Sequence, residues 1–151
     1  MTIASVPSSP AAGGEGAQAG VELYATEVVA VGPIVAEFVQ AGVLVLFGEQ
    51  APQELQDFSV LHRPTTQLEG PAVGDLIIIG DVELPVLAVG DVVAANLLQL
   101  GHLDLKADGL TTATMPGDVC VPTSALPEVV VGQTIRIVRP AASTADEGTS
   151  R

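Results

Sequence analysis

The stretch "DLIIIGDVELPVLAVG", Asp75 to Gly90, indicates the fold class of this chain. Two short apolar runs, "DLIIIG" and "ELPVLAVG", flank Asp81 and Val82. Short runs rich in Val, Ile and Leu on either side of a turn are typical of the two strands of a β-hairpin. The stretch therefore predicts a hairpin, and with it a fold built mainly from β-strands.

The same pattern recurs on both sides of this hairpin. Apolar runs alternate with Gly and Pro along the chain, and the further runs are "VELYATEVVAV" (21–31), "VLVLFG" (43–48), "HLDLKA" (102–107), "DVCVP" (118–122) and "QTIRIVR" (133–139). Many short strands with regular breaks are typical of a small barrel or sandwich. We predict a mainly β, small barrel-like fold of about seven short strands.

Two segments depart from the strand pattern and predict one or two short helices. The first, "APQELQDF", carries Pro52 near its start. The second, "GDVVAANLLQLG", places Val93, Leu97 and Leu100 at the spacing i, i+4 and i+7, which gives one apolar stripe on a helix. We expect Asp91 to cap the start of this helix and Gly101 to end it.

The chain of 151 residues fits one domain, which we place at residues 21–140. Residues 1–20 and 141–151 are small, polar and poor in apolar side chains, so we predict two disordered tails. No apolar run reaches the ~18 residues of a membrane-spanning helix. The first twenty residues contain no Lys or Arg and no compact hydrophobic segment, unlike a signal peptide. We predict a cytoplasmic protein without direct membrane insertion.

The charge and the rare residue types exclude several classes of function. Eighteen Asp and Glu face five Lys and Arg, for a formal net charge of -13. This surface repels a polyphosphate backbone, so we expect no nucleic-acid partner, whereas a protein with a basic patch would be attracted. One Cys and two His are too few for an ordinary Cys/His zinc site. We expect neither a metal nor a cofactor.

The stretch "DFSVLHRPTTQLEG" places His62 beside Arg63, one of the few cations. One interpretation is an inert, hydrogen-bonded histidine at a strand end. The other is a phosphoryl acceptor, because a neutral imidazole can attack phosphorus. In that case the guanidinium of Arg63 would bind the phosphoryl oxygens. The hydroxyl and N–H groups of Thr65 and Thr66, which follow a turn at Pro64, would bind them as well. Neighbouring strand residues point to opposite faces, which counts against contact between Arg63 and the ring.

The other reactive side chains carry weaker patterns. Strand alternation puts His102 on one face with Asp104 and Lys106, as a half-exposed histidine, with a supporting role or a role as alternative nucleophile left open. Lys106 raises the alternative of a carrier lysine, although it precedes the turn at Asp108 instead of standing at its tip. Cys120 lies among valines, which favours a core position.

Four segments in one order resemble the glucitol/sorbitol-specific IIA component of the bacterial phosphoenolpyruvate-dependent sugar phosphotransferase system. The resemblance covers about residues 21–139, and the segments are "FGEQAPQELQDFSVLH" (47–62), "VELPVLAVGDVVAANL" (82–97), "NLLQLGHLDLKADGL" (96–110) and "MPGDVCV" (115–121). It implies that the family's phosphohistidine position falls on His62. The phosphocarrier protein HPr would phosphorylate His62. The domain would then pass the phosphoryl group to a cysteine of a IIB domain, which phosphorylates a polyol as the membrane IIC domain imports it.

The chain departs from the family pattern directly after His62. Arg63, Pro64 and Thr65 stand where a second histidine and a glycine can occur, and the loop is one residue longer. A cradle of Arg63, Thr65 and Thr66 is therefore an inference from chemistry and not from the resemblance. Two alternatives stay open: a non-catalytic binding or regulatory module that retains the IIA fold, and a carrier domain modified on the lysine considered above.

Overall fold

The computed structural model describes residues 20–124 and 126–141. The predicted folded domain, 21–140, lies within these ranges except for position 125. The predicted disorder of the two tails concerns residues that lie almost entirely outside them. None of the helices in the described ranges is long and apolar enough to cross a membrane.

The described residues form nine strands and three short helices. The strands are β1 Val21–Val31, β2 Val43–Gly48, β3 Val60–Gln67, β4 Leu76–Ile79, β5 Val82–Pro85, β6 Ala88–Val89, β7 Leu103–Lys106, β8 Asp118–Cys120 and β9 Thr134–Arg139. The helices are α1 Val35–Gln40, α2 Gln53–Gln56 and α3 Val93–Leu100. The predicted hairpin is β4–β5, which pair antiparallel from Leu76 with Pro85 to Ile79 with Val82. The mainly β fold class is confirmed.

All nine described strands belong to one sheet, in the order β5-β4-β9-β1-β3-β2-β7-β8-β6. The sheet curls into a half-barrel, which confirms the barrel-like prediction. β3 is the middle strand and pairs antiparallel with β1 and parallel with β2. The long β1 changes register with β3 between Ala25 and Thr26 and again between Val28 and Ala30. Such bulges bend a strand and increase its twist, which lets one sheet curl around a core.

The core lies on the inner face of this sheet and is aliphatic. Leu, Ile and Val side chains from eight of the nine strands and from α1 and α3 are almost fully buried there. Tyr24 is the aromatic member of the cluster, and its hydroxyl forms no hydrogen bond with any other described residue. Burial raises the pKa of Tyr24 to about 12, so the phenol stays neutral and acts as an apolar wall.

Two local features differ from the predictions. Helix α1 was not predicted, because Gly32 and Pro33 end β1 and directly precede it in a stretch that is otherwise strand-like. The capping prediction for Asp91 is wrong, since Val92 is the N-cap of α3 and no side chain caps that end. The prediction for Gly101 is confirmed. Gly101 has a φ of 68° and its N–H donates to the carbonyl of Leu97.

The chain also continues as a strand where a turn after His62 was expected. β3 runs through Pro64 to Gln67. Pro64 is in register with Thr26 and Thr66 with Ala25, which leaves Thr65 as the extra residue of a bulge. Proline donates no ladder hydrogen bond, and a bulge is one of the few places within a sheet that tolerate it.

Candidate functional site

His62 lies on β3, in the middle of the sheet, with its ring on the inner face and fully buried. Its ring contacts one neighbouring strand and one helix end. Thr26 of β1 approaches one ring nitrogen and Gly101, after α3, approaches the other. Tyr24 meets the ring edge-on, with ring centroids 6.3 Å apart. The histidine is therefore held in one position by residues far from it in the sequence.

The two hydrogen bonds of the ring define its tautomer. The His62 Nε2 atom lies 2.7 Å from the Gly101 carbonyl oxygen, and Nδ1 lies 2.5 Å from Thr26 Oγ1. A carbonyl oxygen only accepts, so Nε2 carries the hydrogen. The hydroxyl of Thr26 then donates to the lone pair of Nδ1. The resting imidazole has one defined neutral form.

Burial lowers the pKa of His62, while the hydrogen bond to the Gly101 carbonyl acts in the opposite direction. The desolvation effect is the larger of the two, because a charged imidazolium loses its hydration inside the protein. The ring is therefore neutral near pH 7. A neutral imidazole is the form that can act as a nucleophile.

The lowered pKa of His62 predicts a pH dependence of folding. The unfolded chain takes up a proton at the ordinary pKa of about 6.5, and the folded chain only at lower pH. The free energy of unfolding should therefore fall as pH drops below about 6.5, by up to about 1.4 kcal/mol per pH unit. Denaturant titrations of the native protein and of His62→Gln at several pH values between 7.5 and 5.5 give the free energy of unfolding of each. The effect is the difference between the two proteins in the slope of this free energy against pH. The carboxylates also titrate with pH, but they are common to both proteins and cancel in this comparison. Equal slopes against pH would therefore contradict the prediction.

A cavity of about 210 Å³ adjoins His62. Its walls include the loop 48–50, Pro64 and Gln67 of β3, and residues at the end of α3. It lies on the Nε2 side of the ring, because Gly101, whose carbonyl is at Nε2, lines the cavity, whereas Thr26, at Nδ1, does not. A Cβ atom on Gly101 would lie 3.1 Å from His62 Nε2 and 2.7 Å from the Gly48 nitrogen. The two glycines thus let the end of α3 pack directly against β2 and the His62 ring, where a side chain would not fit.

The predicted phosphate-binding residues lie elsewhere. Arg63 is exposed, on the strand face opposite to the His62 ring, and its guanidinium binds both carboxylate oxygens of Glu49 at 2.9 and 2.7 Å. This hydrogen bonding lowers the pKa of Glu49. The Thr65 hydroxyl donates to the Ala25 carbonyl at 3.3 Å. Thr66 lies on the outer face with Arg63. The structure brings none of these three predicted residues to the ring.

Comparison with known proteins identifies the family. Residues 23–136 match the family model described as "PTS system glucitol/sorbitol-specific IIA component". The chain belongs to this family. Over 114 residues it is 29% identical to the glucitol/sorbitol-specific EIIA components of Shigella flexneri and Escherichia coli K12. Each alignment covers 76% of this chain and 93% of the relative.

The fold of this IIA component agrees with that of a solved relative. The crystal structure of a PTS system IIA component from Enterococcus faecalis V583 superimposes with a TM-score of 0.64 at 26% identity. The match covers 74% of this chain and 96% of that one. The resemblance found in the sequence is thus confirmed in both sequence family and fold.

The second histidine of the IIA component lies on the other face of the sheet. His102 stacks on Phe47, with centroids 4.3 Å apart and 7° between the ring planes. Its Nε2 atom lies 3.1 Å from Asp104 Oδ1, which agrees with the predicted common strand face. Leu103 lies between the two, on the inner face. His102 is joined to the His62 site through the backbone, because it follows the glycine whose carbonyl holds the His62 ring.

The remaining reactive side chains of the IIA component have structural partners. Lys106 Nζ lies 3.2 Å from a carboxylate oxygen of the buried Asp118. Cys120 is fully buried, as predicted. Burial, with a hydrogen bond from the thiol to Asp108 at 3.8 Å, raises the pKa of Cys120 to about 11. The thiol is therefore not ionised near neutral pH.

Sequence reasoning missed the residues that contact the His62 ring. Thr26 lies 36 positions away, and its pairing with His62 arises only from the β1–β3 register. Gly101 was predicted to end a helix, but nothing in the sequence shows that its carbonyl points at a histidine. The glutamines at the cavity also carry no local motif. Contacts of this range follow from sheet topology and not from short-range pattern.

Proposed function

We propose that this IIA component is a cytoplasmic phosphoryl-relay protein. It accepts a phosphoryl group from phospho-HPr on His62 and passes it to a cysteine of a IIB domain. That domain phosphorylates a sugar alcohol of the glucitol/sorbitol type as a IIC domain imports it. One observation carries the proposal: in a member of this family, His62 is a neutral imidazole, fixed by two hydrogen bonds, and it lines a small cavity on its Nε2 side.

The position of the cavity favours Nε2 as the attacking atom. Attack requires the lone pair on Nε2, so the ring proton must first move to Nδ1. The hydroxyl of Thr26 suits both states, because it can donate to Nδ1 in the resting form and accept from Nδ1–H in the reactive form. Thr26 is therefore a positioning residue that keeps the ring in place through the change of tautomer.

The transfer itself exchanges one P–N bond for another. The Nε2 lone pair of His62 forms a bond to phosphorus while the bond to the HPr imidazole breaks. The electron pair of the broken bond returns to the HPr nitrogen. No further reactant is required. The later transfer to the IIB cysteine runs in the same way, with a thiolate sulfur as the attacking atom and the His62 nitrogen as the leaving group.

The Gly101 carbonyl must withdraw from Nε2 before this step. It accepts the Nε2 hydrogen at rest, and its lone pairs would repel the Nε2 lone pair in the reactive tautomer. Gly101 ends α3, and the exposed Leu98 of the same helix lines the cavity. A partner that docks at this helix end can therefore shift the carbonyl and open the site. A basic partner surface would be drawn by the net charge of -13.

The test is phosphorylation of the native protein. Incubation with phosphoenolpyruvate, Enzyme I and HPr should add one acid-labile phosphoryl group, seen as a gain in intact mass and located on the peptide that contains His62. Addition of a cognate IIB domain should then remove it. No gain in mass with an active, cognate HPr contradicts the relay.

One observation favours a second candidate, a non-catalytic binding or regulatory module. His62 is fully buried and both ring nitrogens are hydrogen-bonded, so no lone pair is open to solvent in this state. Such a module would bind a partner at the same surface without transfer. Stable binding of HPr or IIB to this protein, with no phosphoryl group gained, is the result that distinguishes it from the relay.

A further inference from the structure

The cations of the described residues are all paired with carboxylates. Within residues 20–124 and 126–141 the pairs are Arg63 with Glu49 at 2.7 Å, Lys106 with Asp118 at 3.2 Å, Arg136 with Glu22 at 3.4 Å, and Arg139 with Glu69 and Asp75 at 2.8 and 2.9 Å. None of these four cations lines the cavity beside His62, although Glu49, the partner of Arg63, does. A phosphoryl group on His62 must therefore be bound chiefly by groups other than these cations.

Three glutamines line the same cavity: Gln50, Gln67 and Gln99. They come from the loop after β2, from the end of β3 and from the last turn of α3. Their side chains form no hydrogen bond with another residue of the described ranges. Three unpaired carboxamides around one small cavity are available to a ligand that accepts hydrogen bonds.

The Gln50 carboxamide lies beside Gly48 of β2. A Cβ atom on Gly48 would lie 2.7 Å from its Oε1 and 3.0 Å from its Nε2. Gly48 is in register with His62 in the parallel β2–β3 pair. The absence of a side chain at position 48 thus makes room for an amide next to the site. Rotation of that amide presents either its oxygen or its NH₂ group.

We propose that Gln50, Gln67 and Gln99 form an uncharged cradle that binds the oxygens of the phosphoryl group on His62. This inference rests on the proposed function and names the groups that hold the transferred group. Each carboxamide offers two N–H donors and no net charge. Donors already placed around the phosphoryl oxygens stabilise their negative charge without reorganisation.

An uncharged cradle suits a relay that must also release the group. A hydrogen bond from Lys or Arg to phosphate adds an attraction between opposite charges that a neutral amide donor lacks. A free cation in the cavity would hold the phosphoryl group more tightly and slow its onward transfer. Arg63 has a different part in this arrangement, since it neutralises Glu49, a carboxylate of the cavity wall that would otherwise repel the phosphoryl group.

The test replaces amide donors by carboxylates of the same shape. Native protein, Gln50→Glu, Gln67→Glu, Gln99→Glu and the matched control Gln53→Glu are each equilibrated with a mixture of HPr and phospho-HPr after removal of Enzyme I. Gln53 is exposed, carries the same change of charge and does not line the cavity. The readout is the equilibrium constant for the phosphoryl distribution. This constant depends only on the phosphorylated and unphosphorylated forms of the two separate proteins. A change in how HPr docks on the variant therefore does not affect it.

We expect each cavity variant to lower the equilibrium constant about tenfold against the native protein, and Gln53→Glu to change it less than twofold. Circular dichroism of all variants checks the fold. If the native protein is phosphorylated on His62 and all variants behave like Gln53→Glu, the cradle is overturned while the relay stands. If the native protein takes up no phosphoryl group from phospho-HPr, the relay and the cradle both fail.

Discussion

The His62→Gln variant should accept no phosphoryl group from phospho-HPr, with a transfer rate at least about a thousandfold below that of the native protein. The substitution removes the imidazole that lines the cavity and leaves a side chain that can still donate to the Gly101 carbonyl. The fold should persist because the replacement is polar and of similar size. Intact-mass measurement over a time course with phosphoenolpyruvate, Enzyme I and HPr gives the rate.

The matched control for this experiment is His102→Gln. His102 is on the outer face, stacked on Phe47, so its removal should change the rate less than about threefold. Unchanged phosphorylation of His62→Gln together with loss in His102→Gln would move the nucleophile to the second histidine. It would also remove the support for the glutamine cradle, because His102 does not line that cavity.

The second large effect is expected for Thr26→Val. Valine has nearly the shape of threonine but leaves Nδ1 of the buried His62 without a partner in both tautomers. The transfer rate should fall about 10- to 100-fold, the range found when a group that orients a metal-bound histidine is removed. The free energy of unfolding should fall by about 1–3 kcal/mol, the cost of an unsatisfied buried polar group. Stopped-flow or quench-flow transfer assays and denaturant titration measure the two effects.

Two further substitutions separate positioning from stability. Thr26→Ser restores the hydroxyl and should recover most of the transfer rate. Thr65→Val removes a hydroxyl that bonds the Ala25 carbonyl, away from the cavity, and should leave the rate nearly native. A loss of stability in Thr26→Val without any loss of rate would show that Thr26 supports only the fold.

The sequence predicted most of the architecture because the strand signals are local. The hairpin around Asp81, the long β1 and the helix that ends at Gly101 all follow from apolar runs and turn residues within a few positions. What it did not predict depends on pairing between distant segments. The parallel neighbour of β3 and the bulge at Thr65 are set by the partners of that strand, and the bulge is what lets β3 continue past Pro64.

The candidate site also divides into a part that local sequence predicts and a part that depends on distant segments. His62 could be selected from its residue type, its neighbours and the family resemblance. The groups around it could not be. Arg63 follows His62 in the sequence, but its side chain points to the opposite face of the sheet, since successive strand residues alternate between faces. Thr26 and Gly101, distant in sequence, make the actual hydrogen bonds. Whether Arg63, Thr65 or Thr66 contributes to phosphoryl binding stays a prediction.

The middle position of β3 has a consequence for how this site can open. Strands at the edge of a sheet separate with little free energy, whereas central strands usually open only when the whole domain unfolds. The backbone around His62 is bonded to β1 on one side and β2 on the other, so its amide hydrogens belong to the slowest-exchanging class. Access within one catalytic cycle must therefore come from the α3–β7 junction that covers the ring. In the proposed relay, a histidine held rigidly beneath a movable helix end would meet two different partners in turn without any change in its own geometry.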